Sequence, residues 1–271
     1  MFEEIIGHKR NINLLLKLKE NEKLPPNMIF EGFEGIGKKL VAKSLFSDEE
    51  VSSKDFILVG EDSYPKINDI RNIILSFNRK PLKKYKLAIL DNAQDMTLEA
   101  ANALLKIFEE PPSNTFIILI VNNINKLPKT ISSRAKIFKF SPLNKKEIKE
   151  FAKKHNIDIK NNPELIEFSK GRPAHLLRIY KYKLIDFSKK FLNLIKEKDF
   201  FSYFSLSEKL EKIDIQSFKS LLEVMMDISL KNPLFLKYYQ NIVSIYNLIN
   251  TYPKPKYLLD KLFFDISFKS Y

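Results

Sequence analysis

The stretch EGFEGIGKKL, residues 31–40, sets Gly32, four further residues, Gly37 and Lys38 in a row. Glycines at that spacing let backbone N–H groups turn toward phosphate oxygens, and the lysine adds a point charge on them. A loop of this kind continues with Ser or Thr, whose hydroxyl ligates Mg²⁺. Here the position is Lys39, a cation that removes a metal ligand and repels the metal. A second stretch, KLAILDNAQDM (86–96), ends an apolar run in Asp91, the carboxylate that would reach Mg²⁺ from a neighbouring strand. Hydrolysing sites of this type place Glu next, to polarise water. This chain has Asn92, and an amide is no base. A plain Gly-rich turn and a strand-end Asp explain the two stretches singly. They do not explain why Asp91 follows the loop by one strand–helix unit. Gly35, Gly37 and Lys38 are left as candidates for weak, metal-independent phosphate binding, with no metal ligand set and no cofactor expected.

The elements that must position these residues are legible from pattern. Short apolar runs at 27–30, 55–60, 86–90, 115–121 and 136–140 predict strands. Helical patterns at about 37–46, 66–78, 97–109 and 128–134 fall between them. In the third, Leu98, Ala101, Leu105 and Phe108 recur at helical spacing and Pro111–Pro112 stop it. Alternation of strand and helix implies an α/β fold with a parallel sheet covered on both faces. Three of the six glycines lie at 32, 35 and 37, and none follows Gly171, which predicts a helical remainder. In that remainder Phe218, Leu221, Met225 and Ile228 share a face, as do Phe235, Tyr238, Ile242, Ile245 and Ile249. The expected domains are 1–142 (α/β), 143–183 (a small helical lid) and 184–271 (a helical bundle).

Composition excludes several classes of chemistry. The 271 residues hold no Cys, so disulfides, thiolate metal sites and Cys nucleophiles are out. The three His, at 8, 155 and 175, have no metal-ligand spacing. No run of about 18 apolar residues is present, and no membrane partner is expected. The acidic, amphipathic opening MFEEIIGHKR is unlike an export leader, and a cytoplasmic setting is the expectation. The net charge of +13 is dispersed: residues 181–271 carry 15 Lys against 10 Asp and Glu. That balance suits work near nucleic acid, and solvated Lys on every helix explains it equally well.

With these residues in place, LDNAQDMTLEAANALLKIFEEPPSNTFIILIVNNINKLPKTISSRAKIFKF (90–140) resembles the clamp-loader branch of the AAA+ ATPases. EAANALLKIFEEPP is its most specific part, then KLPKTISSR; IIGHKRN and KLPPNMIFEGFEGIGK resemble the family's opening. The resemblance covers about residues 1–180. It implies an AAA+ module with a five-stranded parallel sheet, a helical lid and a C-terminal helical collar that oligomerises. It implies further that Ser133 and Arg134 match a Ser-Arg-Cys triplet whose Arg reaches a neighbouring subunit's ATP, with Ala135 replacing the Cys. Asn122 stands at the polar sensor position after the fourth strand. The lid motif GRPAHLL has Ala174 where the family carries an Arg, with Arg172 two residues early. The family's Cys-ligated zinc module has no place in the 52 residues between Lys38 and Asp91.

Metal ligand, catalytic Glu and lid Arg are therefore absent together while Arg134 is kept. That combination implies a subunit that hydrolyses nothing and assists its neighbours in opening a ring-shaped clamp. The implied partners are motor subunits, a delta subunit, the sliding clamp indirectly, and primed DNA through its phosphates. FNRKPLKK (77–84) offers phosphate contacts, or is a solvated loop. Two alternatives stay open: an active motor ATPase, which would want Ser or Thr at 39 and Glu at 92, and a nucleic-acid-binding AAA+ relative outside replication.

Overall fold

The computed structural model describes residues 2, 4–61, 64–208, 213–249, 251–252 and 254–268. By compactness the chain divides into two units, Met1–Phe151 and Ala152–Tyr271.

The first unit runs α1 (Lys9–Glu20), β1 (Asn27–Glu31), α2 (Lys38–Lys43), β2 (Val51–Val59), α3 (Ile67–Phe77), β3 (Tyr85–Leu90), α4 (Leu98–Glu109), β4 (Thr115–Val121), α5 (Lys129–Ser132), β5 (Lys136–Lys139) and the start of α6 (Lys145–Lys154). The strands form one five-stranded sheet in the order β2-β3-β4-β1-β5, and every neighbouring pair is parallel. Parallel strands are joined by crossovers that cover both sheet faces, so the central strands read as continuous apolar runs.

Successive side chains then serve opposite layers. Met28, Phe30, Ile89, Ile118 and Ile120 pack with Leu15, Val41 and Leu45 on one face. Ile29, Ala88, Leu90, Ile117 and Leu119 pack with Ile70, Ile73, Leu104, Phe108 and Ile131 on the other. Each fully buried aliphatic or Phe side chain contributes about 1.5–3 kcal/mol.

Two details differ from the pattern reading. β2 starts at Val51, ahead of the expected 55, because a register shift between Val51 and Phe56 lets a polar stretch join the strand. α4 starts as expected, capped by Thr97, whose hydroxyl accepts from Ala100 N–H. Its inward face, however, is Ala100, Ala101, Leu104, Ile107 and Phe108, while Leu98 is 67% exposed.

The second unit is helical: α7 (Glu164–Phe168), α8 (Pro173–Lys181), α9 (Leu184–Glu197), α10 (Phe200–Ser207), α11 (Ile215–Lys231), α12 (Pro233–Leu236), α13 (Tyr239–Leu248) and α14 (Pro255–Phe268). Phe218, Leu221, Met225 and Ile228 are buried, as are Phe235, Tyr238, Ile242, Ile245 and Ile249, the latter set divided between α12, α13 and its C-cap. Among the described residues, no helix is long and apolar enough to cross a membrane.

A polar cluster lies inside this unit. Arg172 pairs with Glu223, Lys170 with Asp227 at 2.8 Å, and His175 meets Ser220 at 2.9 Å. Ser220 Oγ donates to the Gln216 carbonyl, so it accepts from His175 Nδ1–H. Burial, then the charges of Arg172, Lys170 and Arg178, push the His175 pKa down to about 2. The unfolded chain takes up this proton near pH 6.5 and the folded chain does not, so stability falls as pH drops below that value. The expected slope is roughly 1.4 kcal/mol per pH unit. Urea unfolding at pH 7, 6 and 5 should show it in the wild type, and His175→Gln should remove this part of it.

Candidate functional site

Gly32 leaves the end of β1 where a Cβ would lie 2.3 Å from the Phe140 carbonyl oxygen, so no side chain fits. The turn continues through Gly35 and Gly37 into α2, whose first residues are Lys38 and Lys39. Lys38 folds back over the turn. Its ammonium donates to the Gly32 carbonyl, to the Phe33 carbonyl at 2.7 Å and to Asn122 Oδ1 at 3.2 Å. The residue is only 4% exposed. Burial lowers its pKa to about 8, with the charges of Asp91 and Glu34 opposing.

Lys39 points to the adjacent strand ends. Its Nζ lies 3.0 Å from Asp91 Oδ2 and 3.1 Å from Glu61 Oε1, and Lys43 approaches the same Glu61 oxygen at 3.7 Å. Burial acts to lower the Lys39 pKa, but its hydrogen bond to Asp91 and the charges of Asp91 and Glu61 hold it above the ordinary lysine value. The hydrogen bond from Lys39 is in turn what most depresses the Glu61 pKa.

Asp91 closes β3, and its Oδ1 accepts from Asn92 N–H at 3.0 Å. Asn92 is left-handed at φ 51°, a conformation Asn tolerates, and its amide donates to the Gly60 carbonyl at 2.9 Å. Gly60 follows β2, and a Cβ there would fall 2.1 Å from the Asp91 carbonyl oxygen. The ends of β2 and β3 therefore touch backbone to backbone, which places Glu61 beside Lys39.

Asn122 follows β4; its N–H donates to Gln94 Oε1 at 3.2 Å. Four parallel strands thus deliver Gly32, Glu61, Asp91 and Asn122 to one end of the sheet, the end where open α/β sheets carry their ligands. Glu61, Gln94 and His8, whose Nε2 meets the Ile36 carbonyl at 2.7 Å, were not singled out from sequence. The position of Glu61 one residue beyond a strand-end glycine is the signal that marks it.

Ser133 and Arg134 lie elsewhere. Arg134 precedes β5, and its carbonyl accepts from Asn27 Nδ2 at 3.4 Å. Asn27 opens β1, and Gly32 lies five residues further along that strand, about 16 Å away at strand rise. The Arg134 guanidinium is half-exposed, 3.1 Å from Glu109 and 3.0 Å from the Thr130 carbonyl. Ser133 Oγ donates to that same carbonyl at 3.3 Å. The structure therefore brings Gly32, Gly35, Gly37, Lys38, Lys39, Asp91 and Asn122 together, and sets Ser133 and Arg134 at the opposite end of the sheet. Arg172, in the second unit, spends its guanidinium on Glu223.

Known proteins resemble this chain in sequence and in fold. Residues 48–144 match the family described as DNA polymerase III, delta subunit. The chain is 30% identical over 174 residues to DNA polymerase III subunit gamma of Buchnera aphidicola subsp. Schizaphis graminum, covering 56% of this chain and 48% of that one. It is 31% identical over 199 residues to replication factor C subunit 5 of Mus musculus, covering 69% and 58%. A solved structure, the gamma subunit-related protein of Thermotoga maritima, superposes with a TM-score of 0.65 at 19% identity over 93% of this chain and 98% of that one, a likeness of fold. The chain spans about half the length of the curated relatives it matches.

The fold is that of an AAA+ module followed by a helical region. In sequence, residues 48–144 match the DNA polymerase III delta subunit family, and the chain is similar to DNA polymerase III subunit gamma and to replication factor C subunit 5.

Proposed function

We propose that this chain is the delta-prime-type stator of a DNA polymerase III clamp loader, a subunit that hydrolyses no ATP and completes the ATP site of a neighbour with Arg134. In this reading the module, a helical lid over 143–183 and a collar over 184–271 belong to a hetero-oligomer with motor subunits and a delta subunit. That assembly acts on the sliding clamp and on primed DNA. The single observation that carries it is the Lys39–Asp91 ion pair. The carboxylate that would face a metal is held by the chain's own ammonium, and the position that would supply a hydroxyl ligand is that same lysine. The residues present do not fit Mg²⁺. Asn92, engaged with Gly60, supplies no base for water. Lys38 and the loop amides remain for weak phosphate contact without metal.

The resemblance to gamma subunits favours a second reading, an active motor, and one titration separates the two. The isolated chain should show no ATP turnover and no Mg²⁺-dependent nucleotide binding by calorimetry. Lys39→Thr should release Asp91 and introduce Mg²⁺ dependence into nucleotide binding while turnover stays absent, because Asn92 is unchanged. Turnover by the unmodified isolated chain would restore the motor reading.

A further inference from the structure

The first unit carries a groove with no role in the reading above, and the inference drawn from it stands apart from that reading. It is a cavity of about 500 Å³ between α1, β5 and the segment entering α6. β5 is the last strand of the sheet and, among the described residues, pairs only with β1. Phe140 N–H donates to the Glu31 carbonyl at 2.7 Å. Ladder alternation then turns the main-chain groups of Phe138 toward β1 and those of Ile137 and Lys139 toward the free side. Lys139 C=O accepts from Asn11 Nδ2 at 2.8 Å. Among the described residues, the Ile137 N–H and C=O and the Lys139 N–H have no partner on that side.

The walls combine apolar surface with positive charge. Ile137 is 37% exposed and Leu14 of α1 is 43% exposed, an aliphatic pair beside the open edge. Arg10, Lys136 and Lys139 are exposed cations lining the same groove. Glu147 is the one acid in the lining, and it already accepts from Asn144 N–H at 2.8 Å at the start of α6.

We propose that this groove docks an extended segment of a partner protein, which adds to β5 as a further strand and carries acidic residues alternating with aliphatic ones. The free N–H and C=O groups match a strand backbone, the aliphatic pair takes the side chains between, and the cations take the carboxylates. A DNA sugar-phosphate backbone satisfies only the cations: it has no donor for the Ile137 carbonyl and leaves Ile137 and Leu14 in water. Charged residues on an edge strand also serve to prevent pairing, and on that account nothing binds.

The probe is a fluorescein-labelled nine-residue peptide alternating Asp and Val, titrated with the full chain and followed by anisotropy. Saturable binding that weakens with salt is expected. Arg10→Glu with Lys136→Glu should reduce affinity about tenfold, the sum of two exposed charge reversals, and should favour a Lys–Val peptide instead. Arg10 lies in the first turn of α1, where Glu suits the helix dipole, so the fold is retained. Hydrogen exchange in the unmodified chain, which depends on no variant, should slow at Ile137 and Lys139 in the complex. Absence of saturable binding, binding indifferent to the reversal, or exchange unchanged at β5 overturns the proposal. So does a single-stranded oligonucleotide that displaces the peptide and itself depends on Arg10 and Lys136, since the groove is then a phosphate surface.

Discussion

Replacing Arg134 with Ala in this chain alone is expected to abolish the neighbouring subunit's share of DNA- and clamp-stimulated ATP turnover in the reconstituted assembly, without unfolding the chain. The geometry sets both halves of the expectation. Arg134 sits about 16 Å along the sheet from its own Gly-rich loop, so it has no phosphate of its own to stabilise. Its present partners are Glu109, in an exposed ion pair, and the Thr130 carbonyl. An exposed pair is worth about 0–1 kcal/mol, so the guanidinium leaves Glu109 at small cost when an ATP of opposite charge is presented. Arginine fingers contribute on the order of 10³-fold or more to the site they complete. Thermal melting should shift little, and Arg134→Lys should restore charge without the planar fork and recover only part of the rate. A large loss of melting temperature would mark Arg134 as structural. Unchanged turnover would remove it from the mechanism.

The largest stability effect is expected at a pair with no catalytic part. Asp55 and Lys86 are 2% and 3% exposed, with Lys86 Nζ 2.6 Å from Asp55 Oδ1. Asp55 Oδ2 also accepts from Leu82 N–H at 2.6 Å. Burial raises the Asp55 pKa, but the Lys86 hydrogen bond, the Leu82 N–H and the Lys86 charge outweigh it and hold the carboxyl below its usual range. Its stabilisation is therefore present above the ordinary carboxyl pKa and is lost as pH falls through the depressed one. Lys86→Met leaves a buried carboxylate without its cation, which costs roughly 3–5 kcal/mol. Adding Asp55→Asn removes the stranded charge and keeps an oxygen for Leu82 N–H. The double variant should therefore be at least about 2 kcal/mol more stable than Lys86→Met. The chain contains no Trp, so urea unfolding would be followed by far-UV dichroism. A double variant as unstable as the single one would mean that packing, not charge, holds this corner.

That corner also shows where sequence reading stops. KLAIL and TFIILIV identify themselves as buried strands, since a two-faced parallel strand is apolar at nearly every position. SSK at 52–54 gives no such signal; its place in β2 depends on a register shift, beside Asp55, which Lys86 holds from 31 residues away. Likewise the spacing of Leu98, Ala101, Leu105 and Phe108 marks a helix and three residues of its inward side, but not that Leu98, in the first turn, is 67% exposed.

At the candidate site the division is similar. The Gly-rich loop, Asp91, Asn92, Asn122 and the departure at Lys39 can all be read from residue type and order, because each must follow a strand end and strand ends announce themselves. By itself the sequence determined the alternating α/β module, its helical continuation and the lysine that stands after Lys38 where a hydroxyl would be expected. Only the tertiary structure decided where the replacing charge goes. Lys39 finds Asp91 and Glu61 because four neighbouring parallel strands, β2-β3-β4-β1, end on one side of the sheet, and a Coulomb attraction over 3 Å exists only once they do. The same parallel register sends Arg134 to the far end of the sheet, a distance that no spacing between residues 38 and 134 could have expressed.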